Sequence, residues 1–195
     1  MAPTLGTGVS SLPPGRALAA LGRPGGGAVA PTLGTGVSSL PPGGALAALG
    51  RPGGGSVAGC VLCAEAGGRL VFAGAKLRVI HAQEAGFPGF YRVVWQDHVA
   101  EFSDLSVADR ALCMNAVVAV ERALRVHLQP DKINLAALGN MVPHLHWHVI
   151  ARFAWDTHFP APVWASAQRA SDGGAEGAVR LLLPAAEAAM LAELH

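Results

Sequence analysis

Three histidines alternate with bulky apolar residues in the stretch "MVPHLHWHVIARF" (141–153). Side chains on a β-strand point alternately to its two faces. We therefore expect His144, His146 and His148 to share one face, while Leu145 and Trp147 turn toward a core. Neighbouring rings on such a strand lie about 6.6 Å apart. That spacing fits an extended substrate better than a single metal ion, whose ligand bonds are only about 2.1 Å long.

An imidazole on such a strand can be a nucleophile. When one ring nitrogen donates to a backbone carbonyl, the other keeps its lone pair and can attack phosphorus, giving a phosphoramidate that water resolves. A single strand histidine is usually just packed or solvated, but three unpaired buried rings would each cost free energy. A metal hydrolase that uses His144 and His146 as ligands is an alternative, although it lacks the nearby carboxylate such sites recruit.

The composition indicates one globular domain with an extension. The chain has 195 residues, of which 51% are hydrophobic, so it can bury one sizeable core. A net charge of +1 does not favour nucleic-acid binding. No apolar run reaches the roughly 20 residues needed to cross a bilayer. Three cysteines are too few for a secreted disulfide scaffold, so we expect a cytoplasmic protein without membrane attachment.

The first part of the chain contains a duplication. Residues 2–29 recur almost unchanged as residues 30–57, with differences only at Arg16 against Gly44 and at Ala28 against Ser56. The repeat is rich in glycine and proline and has no aromatic residue, so it cannot bury enough apolar surface to offset the entropy of ordering. We therefore predict that residues 1–58 form a disordered extension.

Beyond that extension, the pattern predicts an α+β domain at 59–168, followed by a linker and a short helix at 169–195. Runs of β-branched and aromatic residues bounded by Gly and Pro predict strands. Helical spacing of apolar residues, preceded by Ser106 and Asp109 as a capping box, predicts one long helix. The predicted order is strands at 69–74, 77–82 and 90–98, a helix at 103–128, strands at 130–138 and 144–153, and a helix at 184–194 with Pro184 in its first turn.

The stretch "HLHWHVI" resembles the motif that names the histidine triad (HIT) family of nucleotide hydrolases and transferases. The resemblance covers roughly residues 60–163 and includes the order of strands and helix and a Gly-containing loop before the first histidine. It implies a HIT-like fold, in which an antiparallel sheet of about five strands packs with one long helix and a shorter C-terminal helix. It also implies a homodimer whose chemical step needs no metal.

The resemblance assigns roles to individual residues. His146 would attack the α-phosphate of a nucleoside phosphoramidate or dinucleoside polyphosphate, forming a nucleotidyl-histidine, with His148 and His144 as the other catalytic histidines. The substrate would be bound by Asn134 and by the loop at Asn140 and Met141. Preorganised hydrogen-bond donors of this kind usually make the largest single contribution to catalysis.

Two departures from the family pattern bear on these roles. Met141 stands where many relatives have a Ser or Thr, so a nucleotide-binding module with weak or no catalysis is the alternative function. Ala82 stands near the place of an acidic residue that binds the ribose diol, which leaves Glu84 as a substitute.

A second group of residues could bind a metal ion. Cys60 and Cys63 have the C-x2-C spacing of half a zinc site. Some bacterial relatives complete that site with histidines at the places of His98 and His144, which makes these four residues a candidate structural zinc site. Two ordinary reduced thiols are the alternative.

Overall fold

A computed structural model describes residues 55–195 of the protein. The predicted disordered extension at 1–58 lies almost entirely outside the described residues. Within them, no helix has the length and apolar character needed to span a membrane. The helices are α1 (Val61–Ala64), α2 (Val107–Leu128) and α3 (Gly173–Leu194), and the strands are β1 (Arg69–Ala73), β2 (Leu77–His81), β3 (Phe90–Trp95), β4 (Lys132–Ala136) and β5 (His146–Arg152).

The five strands form one sheet in the order β1-β2-β3-β5-β4, and every neighbouring pair is antiparallel. This confirms the predicted α+β architecture and all five predicted strands, which end within a few residues of the expected positions. β5 is flanked by β3 and β4, so the histidine strand is an interior strand of the sheet.

The two faces of the sheet have different neighbours. On β3, Tyr91, Val93 and Trp95 belong to the main core, which the buried stripes of α2 and α3 complete. The alternate residues of β3 point to the opposite face, where Phe90 packs with Ile150 and with the His148 ring. The two long helices α2 and α3 therefore cover one face of the sheet, and the other face carries His146 and His148 together with the short helix α1.

The long helix α2 starts later than predicted. Residues 102–104 form a separate 3-10 turn, and α2 begins at Val107 because the extended backbone of Ser106 interrupts the helical path. The Ser106 side chain caps the helix by accepting a hydrogen bond from the Asp109 amide at 3.1 Å, as predicted. Among the apolar residues whose helical spacing predicted α2, Val107 and Leu112 are exposed, whereas the later ones are buried: Val117, Val120, Leu124 and Leu128.

The C-terminal helix α3 corrects the predicted linker and short helix. It spans Gly173–Leu194, so Pro184 lies inside the helix and part of the expected linker is helical. Three glycines and an internal proline disfavour a helix locally. Burial of one apolar stripe in the core beside α2 outweighs that cost, and the stripe consists of Val179, Leu183, Ala186 and Met190.

Because α3 is part of the core, Met190→Ala should lower the free energy of unfolding by about 2–5 kcal/mol, as is typical of large-to-small changes at buried sites. Met190 is fully buried, whereas Leu181 on the same helix is 82% exposed. Leu181→Ala is therefore the matched control and should change stability by no more than about 0.5 kcal/mol. Urea unfolding followed by circular dichroism measures both, and equal effects would contradict the packing of α3.

Candidate functional site

The three histidines do not form a single row. β5 begins at His146, and the backbone before it turns, with the His144 amide donating to the Val142 carbonyl at 2.8 Å. His144 is fully buried, and its ring lies beside His98, with the ring centroids 5.2 Å apart. His146 and His148 remain together, with ring centroids 4.8 Å apart. The histidine strand therefore starts two residues later than predicted, and the neighbours of the His144 ring differ from those of His146 and His148.

The ring of His144 has a defined tautomer. Its Nε2 lies 2.7 Å from the Trp95 carbonyl, which can only accept, so Nε2 carries the proton. Nδ1 is then left with a lone pair, and it lies 3.5 Å from the Sγ atoms of both Cys60 and Cys63. Such a nitrogen is a competent metal ligand whose orientation is held by its partner on the opposite side of the ring.

His98 completes a set of four donors. Its Nδ1 lies 3.4 Å from the Cys63 Sγ, and the four ligand atoms of Cys60, Cys63, His98 and His144 all lie within 4.8 Å of one another. In a tetrahedral zinc site, a sulfur at about 2.3 Å and a nitrogen at about 2.1 Å from the ion are separated by about 3.6 Å. The observed sulfur–nitrogen distances match this value, so the four predicted residues are brought together in an arrangement that fits zinc.

The His146 ring also has a defined tautomer. Its Nδ1 donates to the His144 carbonyl at 2.6 Å, which leaves Nε2 with the lone pair. Burial lowers the pKa of His146 below its ordinary value of 6.5, more than the bond to the His144 carbonyl raises it, and the charge of Arg92 lowers it further. At neutral pH the ring is therefore uncharged, as a nucleophile needs to be.

His148 is more deeply buried than His146. Its ring contacts the rings of Phe90 and Trp164 edge-on, with centroids 5.4 and 5.2 Å away, and its Nδ1 has no hydrogen-bond partner among the described residues. Burial, with smaller contributions from His146 and Arg92, lowers the pKa of His148 to about 3. A neutral ring carries one N–H and one lone pair, so His148 can donate one hydrogen bond to a substrate and accept another.

His146 and His148 line a cavity of about 690 Å³, within the size range of small-molecule sites. One wall is the loop between β4 and β5, which includes Asn140 and Met141, and the opposite wall includes residues of α1. Met141 is 92% exposed and provides no polar side-chain group at the rim. The predicted substrate-binding loop therefore does reach the histidines.

Asn134 lies on the histidine face of the sheet, since on β4 it pairs with Ile150. It is not among the residues that line the cavity, and its Oδ1 accepts a hydrogen bond from Arg152 at 2.7 Å. Arg152 is held in turn by the buried carboxylate of Asp156 through two hydrogen bonds of 2.7 and 3.0 Å. Substrate binding by Asn134 stays a prediction.

Arg92 and Trp164 are among the cavity residues that the sequence-based site prediction did not include. The signal for Arg92 was present, because its charge interrupts the apolar stretch of β3 at a position that alternation places on the histidine face. Trp164 lies more than ten residues beyond the end of β5, and its place beside His148 follows from the path of the intervening loop rather than from local pattern.

The same fold and motif occur in known proteins. The HIT domain family model matches residues 64–155. A solved histidine triad protein from Bradyrhizobium japonicum is 29% identical, with a TM-score of 0.51 over 65% of this chain and 90% of that chain. Histidine triad proteins from Sinorhizobium meliloti and Marinobacter aquaeolei are each 25% identical with a TM-score of 0.51; the matches cover 66% and 63% of this chain and 91% of each of theirs. No curated protein matches the chain.

Residues 64–155 therefore match the HIT domain, and the structure has the fold of solved histidine triad proteins. Proteins of the histidine triad family are in general hydrolases or transferases. This match supports a nucleotide-binding or hydrolase type of function in this general sense.

The low pKa of His148 predicts a pH dependence of stability. In the unfolded chain the ring titrates near 6.5, whereas in the folded protein its pKa is about 3. As the pH falls below about 6.5, the unfolded state takes up a proton that the folded state does not, so stability falls until the pH approaches 3. Ring nitrogen NMR should show a neutral His148 at pH 5, and a midpoint near 6.5 in the folded protein would contradict the burial of this ring.

Proposed function

We propose that the protein cleaves nucleotides at the α-phosphate, with nucleoside phosphoramidates or dinucleoside polyphosphates as substrates and a nucleotidyl-His146 intermediate. The observation that carries this proposal is the hydrogen bond from His146 Nδ1 to the His144 carbonyl, which leaves Nε2 unprotonated in a ring that lines the cavity. Attack by a neutral, oriented nitrogen is the requirement for covalent catalysis of this kind.

The proposed reaction has two steps. His146 Nε2 forms a bond to the α-phosphorus as the bond from phosphorus to the leaving group breaks, and the ring becomes cationic because Nδ1 keeps its proton. The His144 carbonyl, which accepts that proton's hydrogen bond, stabilises the cation. Water then attacks phosphorus and gives up one proton, which balances the proton that the leaving group takes up in the first step. The P–N bond breaks with its electron pair returning to Nε2, and a nucleoside monophosphate leaves a neutral ring behind.

Neighbouring groups assist both steps. The N–H of neutral His148 donates to a phosphate oxygen or to the departing group, and the loop at Asn140 holds phosphate oxygens. His144 acts as a positioning residue, since its carbonyl and not its ring meets the nucleophile.

His146→Ala should lower kcat by a factor on the order of 10⁴ or more, because the nucleophile is lost. Steady-state assays on adenosine phosphoramidate and diadenosine tetraphosphate measure this, with binding of AMP as evidence that the cavity is intact. His127→Ala, on the last turn of α2 in the opposite layer, is the matched control. Turnover by His146→Ala at the rate of the unaltered protein would refute the assignment.

A nucleotide-binding module with weak or no catalysis is the second candidate. It is favoured by Met141, which brings no hydroxyl or other donor to the cavity rim. Mass spectrometry of tryptic peptides distinguishes the hydrolase from the binding module, provided that the reaction is quenched in acid-free denaturant. A nucleotidyl adduct on His146 supports the hydrolase, and its absence during incubation with substrate supports the binding module.

We also propose that Cys60, Cys63, His98 and His144 hold a structural zinc ion, which would tie the segment around α1 to the sheet. Zinc would supply folding energy there and no chemistry on the substrate. Homodimerisation and a cytoplasmic location stay predictions.

The purified protein should contain one zinc ion per chain, measured by elemental mass spectrometry. Cys63→Ser should lose the metal and unfold at a lower temperature, because a thiolate ligand is removed. Cys113→Ala is the control, since Cys113 lies in the main core and should keep the metal. Retention of zinc by Cys63→Ser would contradict this donor set.

A further inference from the structure

Three buried or half-buried arginines lie on the histidine face of the sheet, and one of them differs from the other two in its contacts. Arg78 donates four hydrogen bonds, three of them to carbonyls at the end of α1. Arg152 also donates four, two of them to Asp156. Both guanidinium groups are therefore used to hold the structure together.

Arg92 makes far fewer contacts. Of its five N–H donors, one forms a hydrogen bond within the described residues, a long one of 3.3 Å to the Gly67 carbonyl. Its Nε is buried without a partner among those residues. The nearest carboxylate oxygen belongs to Glu84 at 3.8 Å, on a side chain that is 51% exposed, so the ion pair is weak. The guanidinium also lies over the Phe90 ring, 5.3 Å from its centroid, a contact that uses none of its N–H donors. Arg92 thus keeps unused donors beside a partly buried positive charge.

The position of Arg92 places this charge in the candidate site. It lines the same cavity as His146 and His148. In the antiparallel pairing of β3 with β5, Arg92 is directly opposite His148, whereas Val94 is opposite His146. Arg92 is therefore a diagonal neighbour of His146 rather than the residue directly opposite it.

We propose that Arg92 binds a second phosphate of the substrate, in addition to the phosphate that His146 attacks. This inference rests on the proposed function and narrows its substrate class to nucleotides with two or more phosphates. A guanidinium binds phosphate oxygens through paired N–H donors, and such charge-assisted bonds are among the strongest in proteins. The second phosphate belongs either to the leaving group, as in a polyphosphate, or to the ribose.

Calorimetric titration with three ligands tests the proposal: AMP, ADP and adenosine 3′,5′-bisphosphate. In the unaltered protein, ADP or the bisphosphate should bind about 10- to 100-fold more tightly than AMP. The ligand that shows this gain identifies the leaving-group side or the ribose side as the source of the second phosphate. Arg92→Met should abolish the gain while changing AMP affinity less than about threefold. Arg125→Met, which removes an exposed charge on α2, should leave the gain in place.

Absence of any gain in the unaltered protein would overturn the proposal. So would an equal loss for all three ligands in Arg92→Met, because Arg92 would then bind the attacked phosphate or serve the fold. Glu84→Gln provides a measurement that does not depend on the folding of Arg92→Met. Removing that competing carboxylate should raise the affinity of the second-phosphate ligand relative to that of AMP, whatever Glu84 contributes at the ribose. A fall in this affinity ratio would overturn the proposal. A missing nucleotidyl-His146 adduct would instead refute the proposed function, since these titrations involve no turnover.

Discussion

The candidate site depends on one hydrogen bond, from the His146 ring to the backbone carbonyl of His144. That bond selects the tautomer of His146 and orients its free nitrogen. The carbonyl is held in place because the His144 ring is itself immobilised, by the Trp95 carbonyl on one side and the two cysteine sulfurs on the other. His144 thus serves two groups: its side chain belongs to the donor set that fits zinc, and its main-chain carbonyl holds His146, the proposed nucleophile.

The two faces of the sheet have different roles: one packs against the apolar core, and the other carries the candidate site. The helix-facing side buries a continuous apolar core with α2 and α3, which offsets the cost of burying polar groups on the other side. Burial on that other side lowers the pKa values of His146 and His148, so both rings stay neutral where a nucleophile and a hydrogen-bond donor are required. The same desolvation strengthens the interaction of any nearby charge with an anionic substrate.

The arginines of the histidine face show how the surroundings of a residue decide its role. Arg152 donates hydrogen bonds to Asp156, to Asn134 and to the Ala161 carbonyl, so it supports the loop that carries Trp164 to His148. Arg92 has the same charge on the same face but lacks such partners, which leaves it available to a ligand.

The sequence pattern by itself determined most of the secondary structure and the central motif of the candidate site. The two-residue alternation of the strands, the Ser106 cap and the histidine motif are properties of neighbouring residues, and all were predictable. Tertiary structure decided the rest. The start of α3 depends on burial against α2, which outweighs the glycines and the proline, and the direction of the His144 ring depends on Trp95 and on cysteines about 80 residues away. The place of Arg92 beside His148 requires the register of two strands, because contact between distant segments is a property of the folded chain.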